Sequence, residues 1–68
     1  MNNNYALIHD FVNKIRQTID SLSLEISKSP VDVKESFVKI RQTKNDLTHI
    51  YNLLKIEESL QEIDASNR

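Results

Sequence analysis

The chain has 68 residues, a formal net charge of -1, and neither cysteine nor glycine. A chain this short buries only about 60% of its unfolded surface, so it makes one small domain that needs a staple or a partner. The missing cysteine excludes disulfides and thiolate zinc sites, the missing glycine excludes phosphate-cradling loops and tight β-hairpins, and the near-zero charge gives no general affinity for nucleic acid or anionic lipid.

Twenty-one residues are Ile, Leu, Val or Phe, above the roughly 20% at which chains stay disordered, so folding is expected. The opening stretch Met1-Asn2-Asn3-Asn4-Tyr5 has no basic residue, and Asp10 and Lys14 interrupt the apolar positions after it. No signal peptide is expected, no apolar run approaches the ~18 residues of a membrane span, and a cytoplasmic location is the default.

The spacing predicts a first helix over about 5–28. Tyr5, Ile8, Val12, Ile15, Ile19, Leu22 and Ile26 alternate steps of three and four, a heptad a/d stripe. The only proline, Pro30, then breaks the chain. Ser29 reads as an N-cap with Pro30 in the first helical position, and the residue before a proline disfavours the helical region. The turn is therefore expected at 29–30.

A second helix is predicted over about 30–64, with Val33, Phe37, Ile40, Lys44, Leu47, Tyr51 and Leu54 in the same alternation. So short a connection folds the helices back on each other. The fold class expected is all-α, an antiparallel two-helix hairpin of coiled-coil type, completed to a bundle by oligomerisation or a partner. In the register that matches the two stripes best, Ile26 faces Val33, Leu22 faces Phe37, Ile19 faces Ile40, Ile15 faces Lys44, Val12 faces Leu47, Ile8 faces Tyr51 and Tyr5 faces Leu54. Lys44 is the one charged member, a residue that sets register or snorkels to water. The segment Lys14-Ile15-Arg16-Gln17-Thr18 recurs as Lys39-Ile40-Arg41-Gln42-Thr43, a match too short to define a repeat protein.

The second helix outlasts the first, and its projecting end keeps an apolar stripe of Ile56, Leu60 and Ile63. Leu7, Phe11, Ile50 and Leu53 lie outside the expected stripes toward the same open end. Together these seven residues form the expected partner-binding patch, for a second copy or another protein. Arg16, Lys34 and Arg41 form a basic edge that suits an anion or RNA contact, with Arg16 and Arg41 expected side by side. No aromatic residue interleaves that edge, and nucleic acid is not the favoured partner.

No catalytic or metal site is expected. His9 and His49 fall near each other across the hairpin, but zinc needs three or four converging ligands and catalysis needs a pocket. The outline resembles that of the small sporulation aspartyl-phosphatases, whose second helix carries Ser-x-x-x-Asp. Here Ser36 is followed at that spacing by Ile40, and Asp46 is preceded by Gln42, so the activity does not transfer. It is also similar to the plasmid RNA-regulating hairpin dimers, without a shared residue pattern. The expectation is a non-enzymatic interaction module without cofactor: a small regulator, chaperone or complex subunit, with a dimeric RNA-binding hairpin as the alternative.

Overall fold

Two helices and the turn between them make up the computed structural model, which describes the backbone over residues 4–66 and side chains as far as Ile63. Helix α1 spans Asn4–Ile26 and α2 spans Val33–Ser66. They fold back antiparallel into a rod with extents of 60 × 16 × 12 Å, one helix thick in its smallest dimension. The all-α hairpin expected from the sequence is the fold.

Local chemistry sets the ends of the helices. At the close of α1, the Ser27 amide donates to the Ser23 carbonyl and its hydroxyl to the Leu24 carbonyl, while the Lys28 amide reaches the Glu25 carbonyl. The Lys28 ammonium pairs with Glu25 at 2.8 Å. That hydrogen bond first, and the carboxylate charge second, hold the Lys28 ammonium above its ordinary pKa. The Ser29–Pro30 peptide is cis.

The start of α2 differs from the expected one. Asp32, not Ser29, is the N-cap: its Oδ1 accepts from the Glu35 amide at 3.0 Å. A carboxylate there satisfies an otherwise unpartnered first-turn donor and faces the positive end of the helix. Glu35, three residues on, then pairs with Lys39 at 3.0 Å. Residues 27–32 accordingly form the turn, wider than 29–30, and proline precedes the helix without entering it.

The larger difference is in the line of contact between the helices. On α1 the buried and half-buried positions are Asn4, Ile8, Phe11, Val12, Ile15, Thr18, Leu22 and Glu25; on α2 they are Ser36, Lys39, Thr43, Asp46, Ile50, Leu53 and Glu57. On α2 this is the expected stripe moved by one residue, a rotation of about 100°. Val33, Phe37, Ile40, Leu47, Tyr51 and Leu54, expected between the helices, are all exposed, as are Tyr5, Ile19 and Ile26 on α1. The residue-by-residue register expected from the stripes is therefore replaced by another. Across the seam the Phe11 ring stacks on His49, centroids 4.9 Å apart and planes 13° from parallel. The Lys14 ammonium stands 5.2 Å from the same Phe11 ring.

Hydroxyl chemistry makes the rotated seam tolerable. Thr18, Ser36 and Thr43 each donate to the carbonyl four residues back, those of Lys14, Asp32 and Lys39, at 2.9 to 3.0 Å. A hydroxyl satisfied by its own helix enters a seam at little cost, because no donor is left without a partner. The apolar side chains Ile8, Phe11, Ile50 and Leu53 gather toward the open end, where Glu57 is also buried. Toward the turn the seam is mostly polar, with Glu25, Ser36, Lys39, Thr43 and Asp46 around Leu22. Among the described residues no hydrophobic side chain is fully buried.

Candidate interaction surface

Rotating the helices moves the heptad stripes onto the outside. Positions 5, 12, 19 and 26 of α1 recur every seven residues on the flank beside the seam, and positions 33, 40, 47 and 54 do the same on α2. Because the helices are antiparallel and both right-handed, these two flanks lie on the same side of the rod. The result is one broad face: Tyr5, Val12, Ile19 and Ile26 beside Val33, Ile40, Leu47 and Leu54. Phe37 and Tyr51 widen it on the outer side of α2. Only Val12 is half-covered; Phe37 is 58% exposed, Leu47 52% and Tyr51 61%. Lys44, Lys55 and Glu58 are charged residues along the α2 part of the face, and Arg16 borders its α1 part.

The face has relief as well as apolar character. Tyr51, Leu54, Lys55 and Glu58 enclose a shallow depression of about 250 Å³. Four residues at i, i+3, i+4 and i+7 are the frame that receives a side chain of a facing helix in knobs-into-holes packing. Its rim is held by Lys55, whose ammonium is 5.8 Å from the centre of the Tyr51 ring and 3.5 Å from a Glu58 carboxylate oxygen.

The seven residues expected as the partner patch divide between two environments. Phe11, Ile50 and Leu53 are half-buried in the seam between the helices. Leu7, Ile56, Leu60 and Ile63 are exposed. Leu60 continues the α2 seam line past the end of α1, and Leu7, Ile56 and Ile63 lie on the side of the rod opposite the broad face. Val38 shares that side, which otherwise carries Lys14, Ser21, Lys28, Glu35 and Gln42. The broad face itself was read from the sequence as the inside of the hairpin. Its signal was its width: apolar residues at 33, 37, 38 and 40 cover more of α2 than one seam can take up.

The basic residues are exposed but not gathered. Arg41 stands about 200° from both Lys39 and Thr43, so it lies on the outer ridge of α2, directly away from α1. Lys34 shares that ridge. Arg16 lies on the outer flank of the other helix, so the two arginines do not form a clamp. Among the described residues no group of three or more His, Cys, Asp or Glu is placed to share a metal ion. No helix is long and apolar enough to cross a membrane.

Among the described residues, one buried polar side-chain atom lacks a partner. Asp46 sits in the seam with 8% of its surface exposed, and its Oδ2 makes no hydrogen bond. The hairpin thus encloses a carboxylate while its large apolar side chains face water. That is the reverse of what an isolated fold selects. No protein-family model matches the chain, and neither a curated protein nor a solved structure is significantly similar to it.

Proposed function

We propose that this chain is a non-enzymatic interaction module that docks helix against helix through its broad apolar face, as a small regulator, chaperone or complex subunit. One observation carries the reading: of the sixteen exposed large apolar side chains among the described residues, nine lie on this one face, and none of the hydrophobic side chains is fully buried. Scattered surface hydrophobics are ordinary, but a continuous stripe along two adjacent helices is the pattern of a covered surface. The helix-shaped frame around Tyr51 and Leu54 supports a helical occupant. The basic residues support RNA binding less well, since Lys34 and Arg41, with Phe37 between them, point away from Arg16.

The test is the size of the particle that contains the chain in extracts of cells that express it. The intact chain should run in an assembly well above its own 7.9 kDa. A variant carrying Ile40→Asp and Leu47→Asp should leave that assembly. An intact chain that runs as a helical monomer would remove the docking reading.

A further inference from the structure

We infer that the occupant of the broad face is a helix of another protein whose apolar stripe is bordered by carboxylates, and that these pair with Arg16 and Lys44. The inference rests on the docking reading and names the partner's chemistry. Phe11 stacks on His49 across the seam. Arg16 stands five residues toward the turn from Phe11, and Lys44 five residues toward the turn from His49. In antiparallel helices the two cations therefore share one level of the rod. The face runs over 5–26 of α1 and 33–54 of α2, and that level is its middle. Arg16 borders the α1 side near Val12 and Ile19, while Lys44 stands on the α2 side near Ile40 and Leu47. A helix laid along the face passes between them.

Neither cation is satisfied within the chain. Both residues are exposed, and among the described residues neither side chain makes an ion pair. The helical neighbours of Lys44 are Ile40, Arg41, Leu47 and Thr48, so α2 offers it no carboxylate. Arg16 has Asp20 one turn on, but Asp20 lies on the outer ridge of α1 and the two are not paired. The face itself carries one carboxylate, Glu58, which is already 3.5 Å from Lys55.

These charges separate a second copy from a different partner. A two-fold axis that keeps two such faces fully overlapped lies in their plane of contact, along the rod or across it at the middle level. Along the rod, it sets Arg16 of one copy against Lys44 of the other. Across the rod, it sets Arg16 against Arg16 and Lys44 against Lys44. Either dimer meets cation to cation at its centre, with no free carboxylate on the face to relieve it. Bringing Glu58 of one copy to Lys44 of the other slides the copies by fourteen residues, about 21 Å along a face about 32 Å long. A partner with Asp or Glu on both borders of its stripe turns the same positions into ion pairs, and the Arg16 fork suits a carboxylate.

The probes are two synthetic helical peptides of about 21 residues, the length of the face. Both carry one stripe of Leu and Ala, bordered on each side by Glu in the first and by Lys in the second. Titrated with the purified full chain and followed by fluorescence anisotropy, the Glu peptide should bind about tenfold more tightly than the Lys peptide. Added salt should narrow that difference. Arg16→Glu with Lys44→Glu should reverse the preference, and Arg16→Gln with Lys44→Gln should erase it; circular dichroism checks that each variant stays helical. Equal binding of the two peptides, binding of neither, or a preference indifferent to these substitutions overturns the inference. Twice the chain mass at sedimentation equilibrium overturns it too, by putting a second copy on the face. Tighter binding to phosphatidylserine vesicles than to the Glu peptide does the same, by putting a membrane there. The docking reading is judged apart, from the assembly in extracts. If the intact chain runs in one and Ile40→Asp with Leu47→Asp leaves it, that reading stands even where the acidic helix fails.

Discussion

Replacing Asp46 by leucine should stabilise the protein. Asp46 is buried in the seam and its Oδ2 has no hydrogen-bond partner. A buried polar group without a partner costs about 1–3 kcal/mol, more when charged. Filling the site with an apolar side chain adds a gain of roughly 1.5–3 kcal/mol, reduced here because the site is only partly enclosed by apolar neighbours. Leucine is also the better helix former, by a few tenths of a kcal/mol. Together these terms give a stabilisation of about 2–4 kcal/mol. In urea, with a slope near 1 kcal/mol/M for a domain this small, the midpoint should rise by about 2 M at fixed protein concentration, followed by circular dichroism at 222 nm. If instead the heptad stripes packed against each other, Asp46 would lie on the surface and the change would stay within about 0.5 kcal/mol. A midpoint shift below about 0.5 M, or a loss of stability, would refute the seam described above.

Three further outcomes follow from the same geometry. Asp32→Ala removes the cap of α2 and should destabilise the hairpin by about 1 kcal/mol in the same urea titration, whereas Ser29→Ala should change it little. The Lys28–Glu25 pair raises the lysine pKa on folding, so its contribution is complete below the unfolded lysine value and fades as pH rises through the higher folded one. The stability difference between the intact chain and Lys28→Met should therefore hold constant across neutral pH and close only above about pH 10.4. Arg16→Ala and Arg41→Ala should each change stability by no more than about 0.5 kcal/mol, because both side chains stand in solvent. A large loss for either by thermal melting would show that its edge is covered.

The break at Pro30, the two helices and their reversal are legible in the sequence because proline and heptad spacing are strong local signals. The start of α2 is legible too, in Asp32-Val33-Lys34-Glu35, but Pro30 draws the N-cap to Ser29. A proline can close a turn before a helix as readily as open the helix itself, and the choice depends on where the nearest carboxylate can reach a free amide. The seam is harder to read. Matching stripes by size rewards Phe37 and Leu47 and ignores Thr18, Ser36 and Thr43, whose hydroxyls are spent on their own carbonyls. The echoed segment holds the clue: its two threonines make the same bond, and both lie in the seam, Thr18 buried and Thr43 half-buried. The overhanging Leu60 and Ile63 were readable as surface, because the first helix is too short to reach them, whereas Ile56 is exposed because it lies on the side away from the broad face. Phe11, Ile50 and Leu53 were not, because their burial depends on a rotation that no stripe reveals.

The polar seam near the turn has a consequence for the life of the chain in a cell. A hairpin whose interior holds Thr18, Glu25, Ser36, Thr43 and Asp46 has little stability of its own to draw on. Most of its folding free energy then comes from whatever covers the outside, and that term grows with the logarithm of the partner's concentration. Copies made in excess of their partner spend more time open, and the open form is what proteases degrade. The abundance of the chain would follow that of its partner without any dedicated regulator. A pulse-chase half-life that lengthens as the partner is raised, and shortens for Ile40→Asp, is the measurable form of that dependence.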